Sequence, residues 1–372
     1  MLDRLIAFLR NEAVLCIAFV CACVSMLGAG DVGQVLEYID WRVIVLLFCL
    51  MASVAGLRTS GMLARLAHAL VAGERSKRLV CFALVMLPFF SSMLVTNDVA
   101  LLAFVPIAIL ALEAAGWRDG LIRVIVLQAI AANLGGMVTP VGNPQNLFIF
   151  TTYELTASDF ACTLLPFGAL AFALLAVACL TFGSDRATVT LKIDDKSIDV
   201  KRFVLHAALF VLSVLAVMRV VPYLVALLVV AFALFVFDRC VYAQVDYALL
   251  ATFACFFVFS GNMAHMPAMQ DFLGGFMESH PMLTSLVTSQ VISNVPAAVL
   301  LSGFTANWHS LLVGVDLGGL GTPIASLASL IALRLYLHTR HAKAGAFMKE
   351  FAIANIAVLA CMIALYAALF VL

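Results

Sequence analysis

A motif that interrupts long apolar segments occurs twice in this chain. Residues 133–142 read Asn133-Leu134-Gly135-Gly136-Met137-Val138-Thr139-Pro140-Val141-Gly142, and residues 316–325 read Asp316-Leu317-Gly318-Gly319-Leu320-Gly321-Thr322-Pro323-Ile324-Ala325. A second shared element precedes each copy: Thr96-Asn97 before the first, Ser293-Asn294 before the second. Hydrocarbon offers no partner to a freed backbone N–H or C=O, so such breaks are confined to places where protein or a polar cavity surrounds them. Interrupted segments at corresponding places in two halves are the sequence pattern of a secondary transporter's binding site.

Composition fixes the surrounding medium. The 372 residues are 65% hydrophobic and 11% charged, with mean hydropathy +1.13. A soluble domain cannot hide that much apolar surface, so the chain reads as an all-α polytopic membrane protein. The ten cysteines show no CxxC or zinc-like spacing, lie mostly in apolar runs and read as small buried hydrophobes. Arg4 and Arg10 before an apolar run resemble a signal peptide, but further spans follow at once, and the run reads as a retained first span.

Apolar windows place spans near 12–29, 42–57, 158–183, 202–219, 221–237, 246–261 and 347–371, with an amphipathic stretch at 61–73 and a polar-apolar one at 263–282. Stretches 79–115 and 283–305 break at Asn97 and Asn294; stretches 121–153 and 310–334 break at 135–146 and 318–323. Each arm of 79–115 has about 17 residues, the short limit for spanning, so it is either two spans or a re-entrant hairpin. With both hairpins re-entrant, nine crossings remain, the N-terminus is cytoplasmic and the C-terminus external. Every Lys and Arg except Arg42 and Arg219 then lies inside. Two extra crossings cancel, so charge supports this topology without deciding re-entrance.

The halves correspond beyond the motifs. Asp40-Trp41 and Asp246-Tyr247 each open a span followed by an amphipathic stretch, a broken hairpin, a broken span and a closing span. The expected organisation is a first inverted repeat over 1–183, a linker plus connecting span over 184–220, and a second inverted repeat over 221–372. The connecting span turns the second repeat over, so each hairpin enters from its own side and the two Asn tips meet near the midplane.

At such a site, half-helices starting at Thr96-Asn97-Asp98 and Ser293-Asn294-Val295 would aim N–H groups and positive dipole ends at an anion. The broken spans would restart at Thr139-Pro140 or Asn143-Pro144, and at Thr322-Pro323, while the Gly pairs free carbonyls for a small cation. The candidate substrate-binding residues are therefore Thr96, Asn97, Asp98, Thr139, Pro140, Asn143, Asn146, Ser293, Asn294, Val295, Thr322 and Pro323. The candidate Na⁺ ligands are Ser92, Asn97, Gly135, Gly136, Ser289, Asn294, Gly318 and Gly319. Structural readings compete with each: Asn97, Asn294 and Asp98 as helix caps, the glycines as packing positions, Asn146 and its counterpart Ser329 as ordinary interhelical bonds. Asp316 takes the place of Asn133 and is divided between the same two kinds of role. His265, His280, His309, His338 and His341 have no ligand-like spacing.

At these residues the chain resembles, over nearly its whole length, the ion transporter superfamily of divalent anion:sodium symporters, arsenite permeases, sodium/proton antiporters and citrate-transporter-like proteins. Gly142-Asn143-Pro144-Gln145-Asn146 is similar to the superfamily's Gly-x-Pro-x-Asn pattern. Dicarboxylate symporters carry Ser-Asn-Thr at each tip; Asp98 and Val295 replace both threonines here, which looks closer to the arsenite-permease branch and to small bacterial anion permeases. The resemblance implies a scaffold part and a moving transport part, a homodimer, elevator-type alternating access and Na⁺ or H⁺ coupling. The function expected is secondary transport of a small anion, dicarboxylate-like, citrate-like or inorganic, across a bacterial inner membrane. The alternative is sodium/proton antiport or arsenite efflux. No HExxH, GxSxG or nucleotide motif points to an enzyme or a primary pump, and nothing points to nucleic acid. No cofactor is expected beyond the coupling ion.

Overall fold

The structure, a computed structural model, describes residues 12–29, 36–189 and 199–370. The topology argument's Arg4, Arg10, Lys192 and Lys196 lie outside them. The first half contains α1 (Ala13–Ala29), α2 (Trp41–Thr59), α3 (Met62–Val71), β1 (Gly73–Ser76), α4 (Lys77–Ser91), α5 (Asn97–Ala114), α6 (Leu121–Gly136), α7 (Pro144–Thr152) and α8 (Ala157–Leu180). After β2 (Arg186–Val189) and α9 (Val200–Val217) come α10 (Tyr223–Phe237), α11 (Tyr247–Ala264), α12 (Pro281–Ile292), α13 (Asn294–Ser302), α14 (Trp308–Leu317), α15 (Leu327–Leu337) and α16 (Ala344–Phe370). Short helical turns fill 267–279. The fold is that of an all-helical polytopic membrane protein with two hairpins broken at their tips and two interrupted helices.

Among the described residues, seven helices are long and apolar enough to cross a membrane. The second hairpin's arms, 12 and 9 residues, reach about 18 and 14 Å at ~1.5 Å per residue, against a hydrocarbon core of ~30 Å. The first hairpin is longer. Its return arm α5, at 18 residues, is one of the seven. What marks its tip as interior is burial: Asn97 is 5% exposed and its backbone N–H donates to the Gly142 carbonyl at 3.2 Å.

The corresponding elements pack reciprocally. α1 lies against α11 of the other half, and α10 lies against α2. Return arm α5 packs on α15, and return arm α13 packs on α7. Even the caps match: the Asp40 carboxylate accepts from Val43 N at 3.1 Å and Asp246 from Leu249 N at 2.9 Å, each satisfying a first-turn N–H.

Two features add to the sequence picture. β1 and β2 pair as an antiparallel ribbon, Gly73 opposite Val189 and Ser76 opposite Arg186, where the sequence shows only linker. It ties the linker to the entry of the first hairpin; Lys77 N–H donates to the Asp185 carbonyl at 2.7 Å. Connecting helix α9 is pinned by a cluster in which Asp238 accepts from Arg202 Nε at 2.6 Å and pairs with His206 Nε2 at 2.9 Å. A Cβ on Gly56 would overlap the His206 ring, so α2 admits α9 only because it carries glycine there.

Candidate functional site

The two hairpin tips share one local device. Asn97 Oδ1 accepts from Asp98 N at 2.9 Å, and Asn294 Oδ1 accepts from Val295 N at 3.0 Å. Each asparagine thus occupies its own return arm's first turn with its oxygen and turns its amide nitrogen inward. Neither Thr96 nor Ser293 caps with its side chain. The second tip is tighter. Ser293 has φ +74° and ψ 154°, a backbone region that is essentially glycine's, costing on the order of 1–3 kcal/mol when held by its surroundings. Its hydroxyl donates to the Ala325 carbonyl at 3.2 Å.

The threonines of the two Thr-Pro motifs anchor the hairpins. Thr139 Oγ1 donates to the Met93 carbonyl at 2.6 Å, and Thr322 Oγ1 to the Gln290 carbonyl at 3.3 Å, matching positions on matching hairpins. The first broken helix restarts at Asn143-Pro144, the second of the two starts that the sequence allows, with proline in the first turn. After Thr322-Pro323 a single 3₁₀ turn intervenes, and α15 begins after Ser326.

Each broken helix braces the other. Asn133, just before Gly135-Gly136, accepts through Oδ1 from Asn97 Nδ2 at 2.9 Å and from Ser326 Oγ at 2.8 Å, and its Nδ2 lies 3.4 Å from Ser329 Oγ. Its counterpart Asp316 accepts through Oδ1 from Gln145 Nε2 at 2.9 Å, with the amides of Asn143 and Asn146 bordering the same carboxyl group. Ser326 and Ser329 are the repeat equivalents of Asn143 and Asn146. The crossing of the two breaks is therefore built twice from equivalent positions.

The candidate Na⁺ ligands sit inside this frame with protein partners. Ser92 Oγ donates to the Phe89 carbonyl and Ser289 Oγ to the Ser285 carbonyl. The Gly318 carbonyl accepts from Gln290 Nε2 at 2.8 Å, and the Gly136 carbonyl lies 3.4 Å from Asn146 Nδ2. The Gly pairs also permit close packing: a Cβ at Gly135 would overlap the Phe89 carbonyl oxygen, and one at Gly318 would lie 2.5 Å from Ser289 Cβ. Among the described residues no group of three or more His, Cys, Asp or Glu could hold a metal ion.

A cavity of about 240 Å³ opens beside the first tip. First-turn residues of four helices line it: Thr96, Asp98 and Val99 of α5, Asn143 and Pro144 of α7, Asp246 and Leu249 of α11, and Leu327 of α15. Helix N-termini carry unpaired N–H groups and the positive end of the macrodipole, so their convergence favours negative charge. Arg58, at the end of α2, also lines the cavity, and its guanidinium has no hydrogen-bond or ion-pair partner among the described residues. Asp98 and Asp246 face the same space.

Of the candidate substrate residues, Thr96, Asp98 and Asn143 line this cavity, while Asn97 and Asn146 are buried behind it. Thr139 and Pro140 lie in the turn of the first break. Ser293, Asn294, Val295, Thr322 and Pro323 belong to the second tip and second break, outside the cavity wall. Arg58, Gln244 and Asp246 are wall residues that the sequence reading did not single out. Asp246 had a signal, since its pairing with Asp40 marked it as a repeat position. Arg58 was read only as a charge that orients the chain.

Residues 5–312 match the family model for citrate transporter proteins. The chain is 32% identical to an uncharacterized transporter of Methanocaldococcus jannaschii over 81% of this chain and 83% of that protein. It is 31% identical to the inner membrane protein YbiR of Escherichia coli, over 80% of each. Among solved structures, the crystal structure of the Alcanivorax borkumensis YdaH transporter, described as having an unusual topology, shares the fold with TM-score 0.55. The two are 16% identical, over 90% of this chain and 87% of that one.

Proposed function

The chain belongs to the citrate transporter family, and from that premise we propose that it is a secondary active transporter. It carries a small anion, a carboxylate or an inorganic oxyanion, across the cell's inner membrane with Na⁺ or H⁺. The observation that carries this reading is the cavity where four helix N-termini and the unpartnered Arg58 converge. Such a site binds an anion by N–H groups, dipole ends and one guanidinium. Arg58, Asp98 and Asp246 together sum to a net negative wall, so an added anion calls for an accompanying cation. That supports coupled transport over passive passage of the anion alone.

The working model is an inverted repeat whose hairpins and broken helices move as a unit against the remaining helices, in an elevator-type cycle and within a homodimer. Arg58 lies on the side rich in basic residues, and the cavity then faces the cytoplasm. A second reading, cation/proton exchange or arsenite efflux, is favoured specifically by the two carboxylates in the wall.

The test is thermal stability of the purified protein in detergent, screened against Na⁺, pH, dicarboxylates, citrate, sulfate, phosphate and arsenite. Ligands that bind the folded state raise it by mass action. Stabilisation by one anion class only in the presence of Na⁺, or only at low pH, supports coupled symport. A response to cations alone, whatever anion is added, sinks the anion reading and favours exchange.

A further inference from the structure

A second polar centre lies at the crossing of the two broken helices, behind the cavity. Asp316 is 3% exposed; Gln145 satisfies its Oδ1, while its Oδ2 has no partner. Asn146 is fully buried. Its Nδ2 is directed at the Gly136, Met137 and Thr139 carbonyls at 3.4, 3.2 and 3.3 Å, while its Oδ1 has no partner. Two enclosed oxygens, one of them on a carboxylate, thus belong to adjoining groups with no donor for either.

The helices packed on α14 supply no counter-charge. They are α6, α7, α8, α12 and α13. In α7, α12 and α13 there is no Asp, Glu, Lys, Arg or His, and α8 has Asp159 in its first turn. In α6 the one charged group is Arg123, near the helix start, 3.7 Å from Glu350 of α16. His309 lies in the first turn of α14 itself, at the opposite end from Asp316. A buried carboxylate with no paired charge is strongly disfavoured. An environment made of oxygen acceptors suits a hard cation, and a single carboxylate balances a single positive charge.

We infer that Asp316 Oδ2 and Asn146 Oδ1 are ligands of a sodium-ion site at the crossing of the two broken helices. The site rests on the coupled-transport reading above and adds the ion and its residues. An ion there joins the last turn of α14 to the first turn of α7, one from each half. Its occupancy sets how firmly the two breaks are held together behind the cavity. No equivalent ion is expected on the other side of the crossing, because Asn133 brings no charge and finds its partners in Asn97, Ser326 and Ser329.

The experiment measures ²²Na⁺ bound per protein in detergent at fixed pH and ionic strength, for the wild type, Asp316→Asn and Asp316→Glu. Asn keeps an oxygen for Gln145 and removes the charge; Glu keeps the charge and displaces it. The expected result is one fewer ion bound by Asp316→Asn, and the wild-type count at several-fold weaker affinity for Asp316→Glu. Size-exclusion profiles confirm that the variants are folded. Equal Na⁺ binding in wild type and Asp316→Asn overturns the site, as does a wild type that binds no Na⁺ and responds to pH alone. If Asp316→Asn does not fold, the Asp316→Glu affinity decides: an unchanged value overturns the site. Uptake of labelled anions by wild-type proteoliposomes is measured alongside. Its absence would remove the transport reading while leaving the ion count to judge the site.

Discussion

Replacing Asn133 by alanine tests whether the two broken helices hold each other. The side chain accepts two short bonds, from Asn97 Nδ2 at 2.9 Å and Ser326 Oγ at 2.8 Å, and makes two long contacts at 3.4 and 3.5 Å to Ser329 Oγ and the Gly319 carbonyl. Asn97 and Ser326 are both buried, and each has its Asn133 bond as its sole side-chain donation. Stranding a buried donor costs about 1–3 kcal/mol in water-soluble proteins. Interhelical bonds in a membrane protein average only ~0.6 kcal/mol, with a maximum of ~1.7, because unfolded helices in lipid find other partners. The membrane figure governs here, and it assigns the two short bonds together about 1 kcal/mol. Creation of a small cavity brings the expected loss to about 2 kcal/mol. Reversible unfolding in mixed micelles measures it for Asn133→Ala, Ser326→Ala and the double variant. The single losses should fall short of additivity by roughly 0.6 kcal/mol or more. Additivity within ~0.3 kcal/mol would show that the breaks do not support each other through Asn133.

Arg58→Gln should weaken anion binding at least tenfold, about 1.4 kcal/mol, because a charge-assisted bond becomes a neutral one; isothermal titration reads it, and unchanged affinity removes Arg58 from the site. Gly318→Ala should destabilise by about 1–3 kcal/mol, as an overpacked contact does, because its Cβ would meet Ser289 Cβ at 2.5 Å. Adding Ser289→Gly should restore part of that loss in the same unfolding assay, and no recovery would mean the glycine serves something other than close packing. Asn97→Ala and Asn294→Ala should abolish uptake with expression intact, and wild-type flux in both would detach the tips from function.

Much of the frame was legible because apolar helices and their interruptions obey local rules. Both tip asparagines, both Gly-Gly breaks and the Asp40/Asp246 starts were readable from spacing alone. The Thr139 and Thr322 equivalence was readable too, although the bonds to Met93 and Gln290 that explain it were not. What escaped the sequence is non-local. Arg58 sits at a helix end, where a basic residue ordinarily marks the cytoplasmic side. Only folding brings it opposite Asp98 and Asp246. Gln145 and Asp316 are 171 positions apart, and neither suggests the other until the breaks cross. The β1–β2 ribbon joins two short polar segments that carry no alternation of apolar residues. His206 looked like an ordinary helix residue, and its role depends on Asp238 and on the space left by Gly56.

The central claim is that the cavity at the first hairpin tip binds an anion together with a coupling cation. Uptake of a labelled anion into proteoliposomes, driven by an imposed Na⁺ or pH gradient, tests it most directly in wild type and Arg58→Gln. We expect accumulation of one anion class that requires the cation gradient and is lost in Arg58→Gln. Cation flux that proceeds equally with no anion present, or accumulation unaffected by Arg58→Gln, would contradict it.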